Sequence, residues 1–186
     1  MIQVIKILDI QTEILKFWQW AEMSPEDYSK NRGYGEWEGL YPGWKELEKA
    51  IDEAIFKLNE HFDYKTAEIL IQALAIDNEA EGVLEKIEGR LKNYKDFIEL
   101  VIKSNQPEAR WQIAELLGRI NLKNRDEILS NLIIEDEDNY VKRRALLSLN
   151  LINPLRAIQL AVKFVDNEDD YLKMVATKII SGETNY

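Results

Sequence analysis

Catalysis has few residues to draw on in this sequence. His61 is the sole histidine and there is no cysteine. A histidine pair for a metal ion, a thiolate nucleophile and a Cys-ligated zinc are thereby excluded, and a Ser-His-Asp triad would have to use His61. That residue stands in Asn59-Glu60-His61-Phe62-Asp63, the composition of a helix end, where an imidazole is favourable without any catalytic role. No phosphate-binding glycine fingerprint is present, since Gly33-Tyr34-Gly35 is too short to form one. The acidic runs Glu135-Asp136-Glu137-Asp138 and Asp166-Asn167-Glu168-Asp169-Asp170 lack the alternating ligands, sixth-position glycine and terminal glutamate of a calcium loop. Carboxylates placed just before a helix complement its dipole instead. The reading is of a chain with no catalytic residue, no cofactor and no metal.

Recognition is better supplied. Arg110, Lys142, Arg143, Arg144 and Lys173 form a cationic series along the C-terminal half, with Trp111 beside Arg110. Arginine next to tryptophan is the composition of an interface hot spot. The competing reading has Arg110, Lys142 and Lys173 bridging acids and carbonyls of neighbouring helices, with Arg143 and Arg144 left for a partner. A second group, Trp18, Trp20, Tyr34, Trp37, Tyr41 and Trp44, combines large rigid contact area with a glycine-bearing loop. These rings either close off an open hydrophobic face, or leave Tyr34, Trp37 and Tyr41 for contact.

The cations sit in a motif written three times. Ala109 to Gly118, Val141 to Asn150 and Leu172 to Ser181 align without gaps at offsets of 32 and 31 residues, each with a small or apolar residue, a cation, two variable positions and apolar residues at helical spacing. Ahead of them stand Gln106-Pro107-Glu108, Asp138-Asn139-Tyr140 and Asp169-Asp170-Tyr171, which predict helices starting near 107, 139 and 170. Amphipathic stretches at 94–103, 125–134 and 154–165 precede these, so each period contains a helix pair. A further pair is predicted at 64–76 and 79–91, its second member weakened by Gly82 and Gly89. Amphipathic helices over 10–23 and 44–62 flank a connection, 24–43, that is unusually long for a helical protein.

Asp138-Asn139-Tyr140-Val141-Lys142-Arg143-Arg144-Ala145-Leu146-Leu147-Ser148-Leu149 resembles the second helix of HEAT-like repeats, and the resemblance extends over about 94–181. The N-terminal layout, with Phe17-Trp18-Gln19-Trp20, Trp37 and Tyr41-Pro42-Gly43-Trp44, is similar to small bacterial HEAT-repeat proteins. The resemblance implies an all-α, right-handed α-α superhelix of stacked hairpins. Residues 1–62 form its N-terminal helical cap and 63–186 carry repeats at about 63–91, 94–120, 124–152 and 154–181, in one folding unit. It also implies that the second helices line a concave face, bringing Arg110, Trp111, Lys142, Arg143, Arg144 and Lys173 to one stripe. Lys142 and Lys173 stand where the family has arginine and Gln106 where it has aspartate, so the acidic-basic ladder between repeats is expected to be incomplete.

Composition narrows the partner. Over 186 residues the formal charge is −10, which repels phosphate backbones and favours a basic protein partner. No apolar run reaches the roughly 20 residues of a membrane span, and the N-terminus, with Lys6 interrupting its apolar stretch, lacks a signal peptide's h-region. With no cysteine, the reading is of a soluble cytoplasmic protein. The function expected is a non-catalytic protein-binding solenoid, including an immunity protein that neutralises a basic toxin or enzyme. The alternatives implied by the resemblance are a HEAT-like DNA glycosylase, disfavoured by the charge, and a chromophore-lyase-like assembly factor.

Overall fold

The computed structural model describes residues 9–33 and 35–183, and these are helical with no strand among them. The chain divides into two compact units, Met1–Ala109 and Arg110–Tyr186.

In the first unit the order is α1 (Ile10–Ala21), α2 (Pro25–Asn31), a 3₁₀ turn (Trp37–Leu40), α3 (Trp44–Glu60), α4 (Tyr64–Ile76), α5 (Gly82–Arg90) and α6 (Tyr94–Lys103). Helix α4 is its centre, packing against α1, α3, α5 and α6, and its residues from Leu70 to Ile76 are buried apart from Gln72. Gln72 is used too: its Oε1 accepts the indole N–H of Trp18 on α1 at 2.9 Å.

The long connection expected over 24–43 is a structured segment. Ser24 accepts the Asp27 N–H at 3.0 Å and Pro25 occupies the first turn, so α2 begins there; a Ser-Pro pair with acids in the next two positions is a helix start. The segment is then held by a buried polar cluster. Tyr28 donates its hydroxyl proton to Glu38 Oε1 (2.7 Å), Arg32 Nε donates to the same oxygen (2.5 Å), and Arg32 Nη2 donates to Asn78 Oδ1 (2.9 Å). Asn78 Nδ2 in turn donates to the Tyr28 hydroxyl and to the carbonyl of Ala75. A Cβ on Gly43 would come within 2.5 Å of the Tyr41 ring, so the chain passes there only as glycine without moving Tyr41.

Helix α7 (Pro107–Arg119) spans the boundary between the units. The second unit continues with α8 (Arg125–Glu135), α9 (Asn139–Ile152), α10 (Pro154–Ala161), a 3₁₀ turn (Val162–Phe164) and α11 (Asp170–Ser181). Helix α9 packs against α8, α10 and α11. It meets α7 where Gly118 permits close approach: a Cβ there would lie 3.1 Å from Ser148 Cβ. The starts at 107, 139 and 170 coincide with the expected ones, and the caps do the work anticipated. Asp138 accepts from Tyr140 and Val141, and Asp169 from Leu172.

The repeat extends into the turns. Ser104, Asp136 and Asn167 occupy equivalent places, and each side-chain oxygen accepts the N–H two residues on, at Gln106, Asp138 and Asp169. This holds each turn in the conformation that presents the next cap.

Candidate partner-binding site

Cationic residues at comparable places in the motif meet different fates. Arg110 is committed to the turn below it, with Nε 2.7 Å from Asp136 Oδ2 and Nη2 3.0 Å from Oδ1. Asp136 is only 4% exposed in its side chain, so the guanidinium neutralises an acid that water does not reach. One repeat on, Lys142 is the counterpart of Arg110, and Asn167 holds the turn position that Asp136 holds, so no carboxylate stands at that place. Among the described residues the Arg110–Asp136 pairing is not repeated at Lys142, since residue 167 is not an acid. Lys173 is exposed. Arg144 pairs with Glu115 on α7, its guanidinium carbon 5.2 Å from the centre of the Trp111 ring.

Trp111, expected on the accessible stripe, is 6% exposed. Its ring meets Tyr140 edge-on at 5.3 Å, so it fills the space between α7 and α9. Helical spacing alone does not separate this position from one facing solvent.

Arg143 differs from the other two arginines. Its guanidinium carbon lies over the ring of Tyr140 at 4.4 Å and over that of Tyr171 at 5.1 Å. Tyr140 is one turn earlier on α9, and Tyr171 is the equivalent residue of α11. Among the described residues the Arg143 guanidinium makes no hydrogen bond and no ion pair, so its five N–H donors are unspent. With Asn139, Tyr140, Asp169 and Tyr171 it lines a surface recess of about 300 Å³. Tyr171 is 65% exposed and Met174, a turn further along α11, 45%. The tyrosines were legible only as neighbours of helix caps; the signal that marks them is their recurrence at the same place in two repeats.

In the aromatic cluster of the first unit Trp18 and Tyr41 are buried, Trp37 and Trp44 half-buried and Trp20 exposed. Phe17 is fully buried and has Trp18, Trp20, Trp37, Tyr41 and Trp44 around it at 4.9–6.4 Å between ring centres. Tyr41, expected as a contact residue, is buried in this cluster. Trp37 is half-buried, with its indole N–H donated to the carbonyl of Arg32 at 3.2 Å. Tyr34 lies outside the described residues. The rings gather because α1 presents Phe17 and Trp18 to the folded-back 24–43 segment, where they bury against one another.

Beside that segment is an acidic recess of about 530 Å³, lined by Trp44, Ile76 and Val83, by Glu36, Glu48, Asp77 and Glu79, and by Lys86. Burial pushes the Asp77 carboxyl from its ordinary 3.8 up to about 6, against the pull of the Val83 N–H that it accepts at 2.6 Å. The unfolded chain releases this proton near pH 4 and the folded chain holds it until about pH 6. Stability from this group is therefore greatest at low pH and is lost as the pH rises from 4 through 6, by about 3 kcal/mol at the upper bound. Asp77→Asn, which keeps the acceptor for Val83, is expected to flatten that part of the pH profile and to be at least as stable as the parent at pH 7. Urea unfolding of both proteins from pH 4 to 7.5 checks this.

His61 ends α3, its backbone N–H bonded to the Lys57 carbonyl at 2.8 Å, and it borders neither recess. Among the described residues there is no group of three or more His, Asp or Glu placed to hold a metal ion, and no helix is long and apolar enough to cross a membrane.

Residues 94–181 match the family model for HEAT repeats. This stretch, α6 to α11, is made of HEAT-like repeats. The match covers α6 to α11 and includes every member of the cationic series. No curated protein and no solved structure matches the chain. HEAT repeats generally mediate protein interactions, and the recess lined by Asn139, Tyr140, Arg143, Asp169 and Tyr171 lies within the matched repeats.

Proposed function

We propose that this protein is a non-catalytic binding module that docks a partner protein on the face shared by α9 and α11. Residues 1–62 serve as the cap of the repeat array. The observation that carries the reading is the Tyr140–Arg143–Tyr171 group. Tyrosine and arginine are enriched at hot spots, methionine in interfaces, and the two tyrosines hold the arginine without using its donors. Lys142 and Lys173 extend this face. Arg110, Arg144 and Trp111 support it from beneath, since their side chains are engaged within the second unit.

The partner is a basic protein. Glu137, Asp138, Glu168 and Asp169 stand in the turns leading into α9 and α11, and Asp170 opens α11; these carboxylates, Asp169 among them on the recess of Arg143, attract a cationic surface and speed its approach. In a chain of net charge −10 this suits a cytoplasmic immunity protein that covers the active surface of a basic toxin.

Affinity capture with the full chain, read by mass spectrometry, tests the reading. Tyr171→Ala and Arg143→Glu are each expected to weaken capture of the partner by about tenfold or more while leaving the thermal midpoint within about 2 °C, because neither side chain is buried. Undiminished capture by both variants would remove this face from the interaction. Protection of cells against a co-expressed candidate toxin, lost in the same variants, tests the immunity role.

A further inference from the structure

The docking face reads out a particular chemistry at its centre. A guanidinium that neutralises an internal acid is spent, as Arg110 is on Asp136. Arg143 is instead held by two aromatic rings, contacts that restrict the side chain and stabilise its charge without consuming an N–H. An arginine so restrained loses less conformational freedom when it binds, and its planar fork matches a carboxylate through two parallel hydrogen bonds. The recess beside it, about 300 Å³, has room for such a group, and Asn139 on its wall brings a side-chain amide with two further donors. Asp169, on the same wall, does not neutralise Arg143: its Oδ1 accepts the Leu172 N–H at 2.7 Å, and no ion pair joins it to the guanidinium.

We propose that the recess formed by Asn139, Tyr140, Arg143, Asp169 and Tyr171 binds a carboxylate of the partner protein, taken by the Arg143 guanidinium. This rests on the docking face assigned above. It adds a reversed pattern of charge: the partner presents one carboxylate at the centre and cations at the rim, where Glu137, Asp138, Glu168 and Asp170 meet them. An acid surrounded by basic residues is a pattern that few surfaces share, so the recess selects among cationic proteins that net charge alone would not distinguish.

The test uses the full-length chain and acetate as the probe. The Arg143 Nε–Hε and Asn139 side-chain amide resonances are followed by NMR as acetate replaces chloride at constant ionic strength, with parallel titrations of inorganic phosphate and methylguanidinium. Both resonances are expected to shift and saturate with acetate. Arg143→Lys, which keeps the charge and loses the fork, is expected to weaken the Asn139 response about tenfold, and Tyr171→Ala to weaken it by a smaller factor. No acetate response, a response to phosphate alone, or a response to methylguanidinium instead would overturn the carboxylate assignment. Capture of the partner separates the two levels: capture lost in Tyr171→Ala with no acetate response retains the face and rejects the carboxylate. An acetate response with capture unchanged in both Tyr171→Ala and Arg143→Glu retains the anion site and rejects the face.

Discussion

Arg32→Ala is expected to destabilise the first unit by about 3–5 kcal/mol, the usual cost of leaving a buried charge without its partner. Glu38 is 3% exposed in its side chain and receives Arg32 Nε at 2.5 Å. Without the guanidinium it keeps the Tyr28 hydroxyl and little else to offset its desolvation. The same substitution frees Asn78 Oδ1 and the Gly35 carbonyl, both of which accept from Arg32 Nη2 at 2.9 Å. The cluster ties α2 and the 3₁₀ turn to the end of α4, so its loss releases the 24–43 segment from the core that it covers. A loss of this size is a large fraction of a typical domain's stability and corresponds to a fall in Tm of roughly 15 °C or more.

Denaturant unfolding followed by tryptophan fluorescence reads it directly, because Trp37 donates to the Arg32 carbonyl and Trp44 to the Glu38 carbonyl at 2.8 Å. Replacing both charges, in Arg32→Met with Glu38→Met, is expected to recover much of the loss, since a buried ion pair exchanged for apolar side chains of similar volume is often close to neutral. A double variant as unstable as Arg32→Ala would show that the cluster's value lies in positioning the chain rather than in balancing a charge. Tyr28→Phe is the milder case, expected to cost about 1–3 kcal/mol for the hydrogen bonds that its hydroxyl makes.

Arg110→Ala is expected to cost the second unit a similar 3–5 kcal/mol, whereas Lys142→Ala, the same place one repeat later, costs less than about 1 kcal/mol. Asp136 has two tasks. Its Oδ2 takes Arg110 Nε at 2.7 Å, and its Oδ1 takes the Asp138 N–H at 2.9 Å, bracing the turn from which Asp138 caps α9. Removing Arg110 strands a carboxylate that is 4% exposed and loosens the start of the helix that carries Tyr140 and Arg143. Partner binding therefore falls in Arg110→Ala in proportion to the loss of folded protein, and is restored by lowering the temperature. In Arg143→Glu binding falls while the protein stays folded. Thermal melts and capture measured on the same samples separate the two. Equal melting temperatures for Arg110→Ala and Lys142→Ala would refute the structural role of Arg110.

The helices of the repeats could be read from the chain because the signals that make them act over a few residues. Asp138 and Asp169 cap the helices that they directly precede, Pro107 begins α7, and the apolar spacing of Val141, Ala145, Leu146 and Leu149 marks the buried side of α9. Ser24-Pro25 carried the same kind of local signal for α2, obscured by the glycines and aromatics that follow. The Tyr28–Glu38–Arg32–Asn78 cluster had no such signature, since Asn78 stands 46 residues from Arg32 and nothing near either marks them as a pair.

What the amino-acid order determined alone is the helical class, the 31- to 32-residue period and the series of cations that recurs with it. Which of those cations is spent and which is available was decided only in three dimensions. Arg110 finds an aspartate 26 residues away, Arg144 a glutamate 29 residues away, and Arg143 two tyrosine rings that neutralise nothing. Helical periodicity places a side chain on a face, but its charge is balanced or left open by the neighbour that an adjoining repeat brings against it. That neighbour is chosen by packing between helices, an interaction that spacing within one helix does not contain.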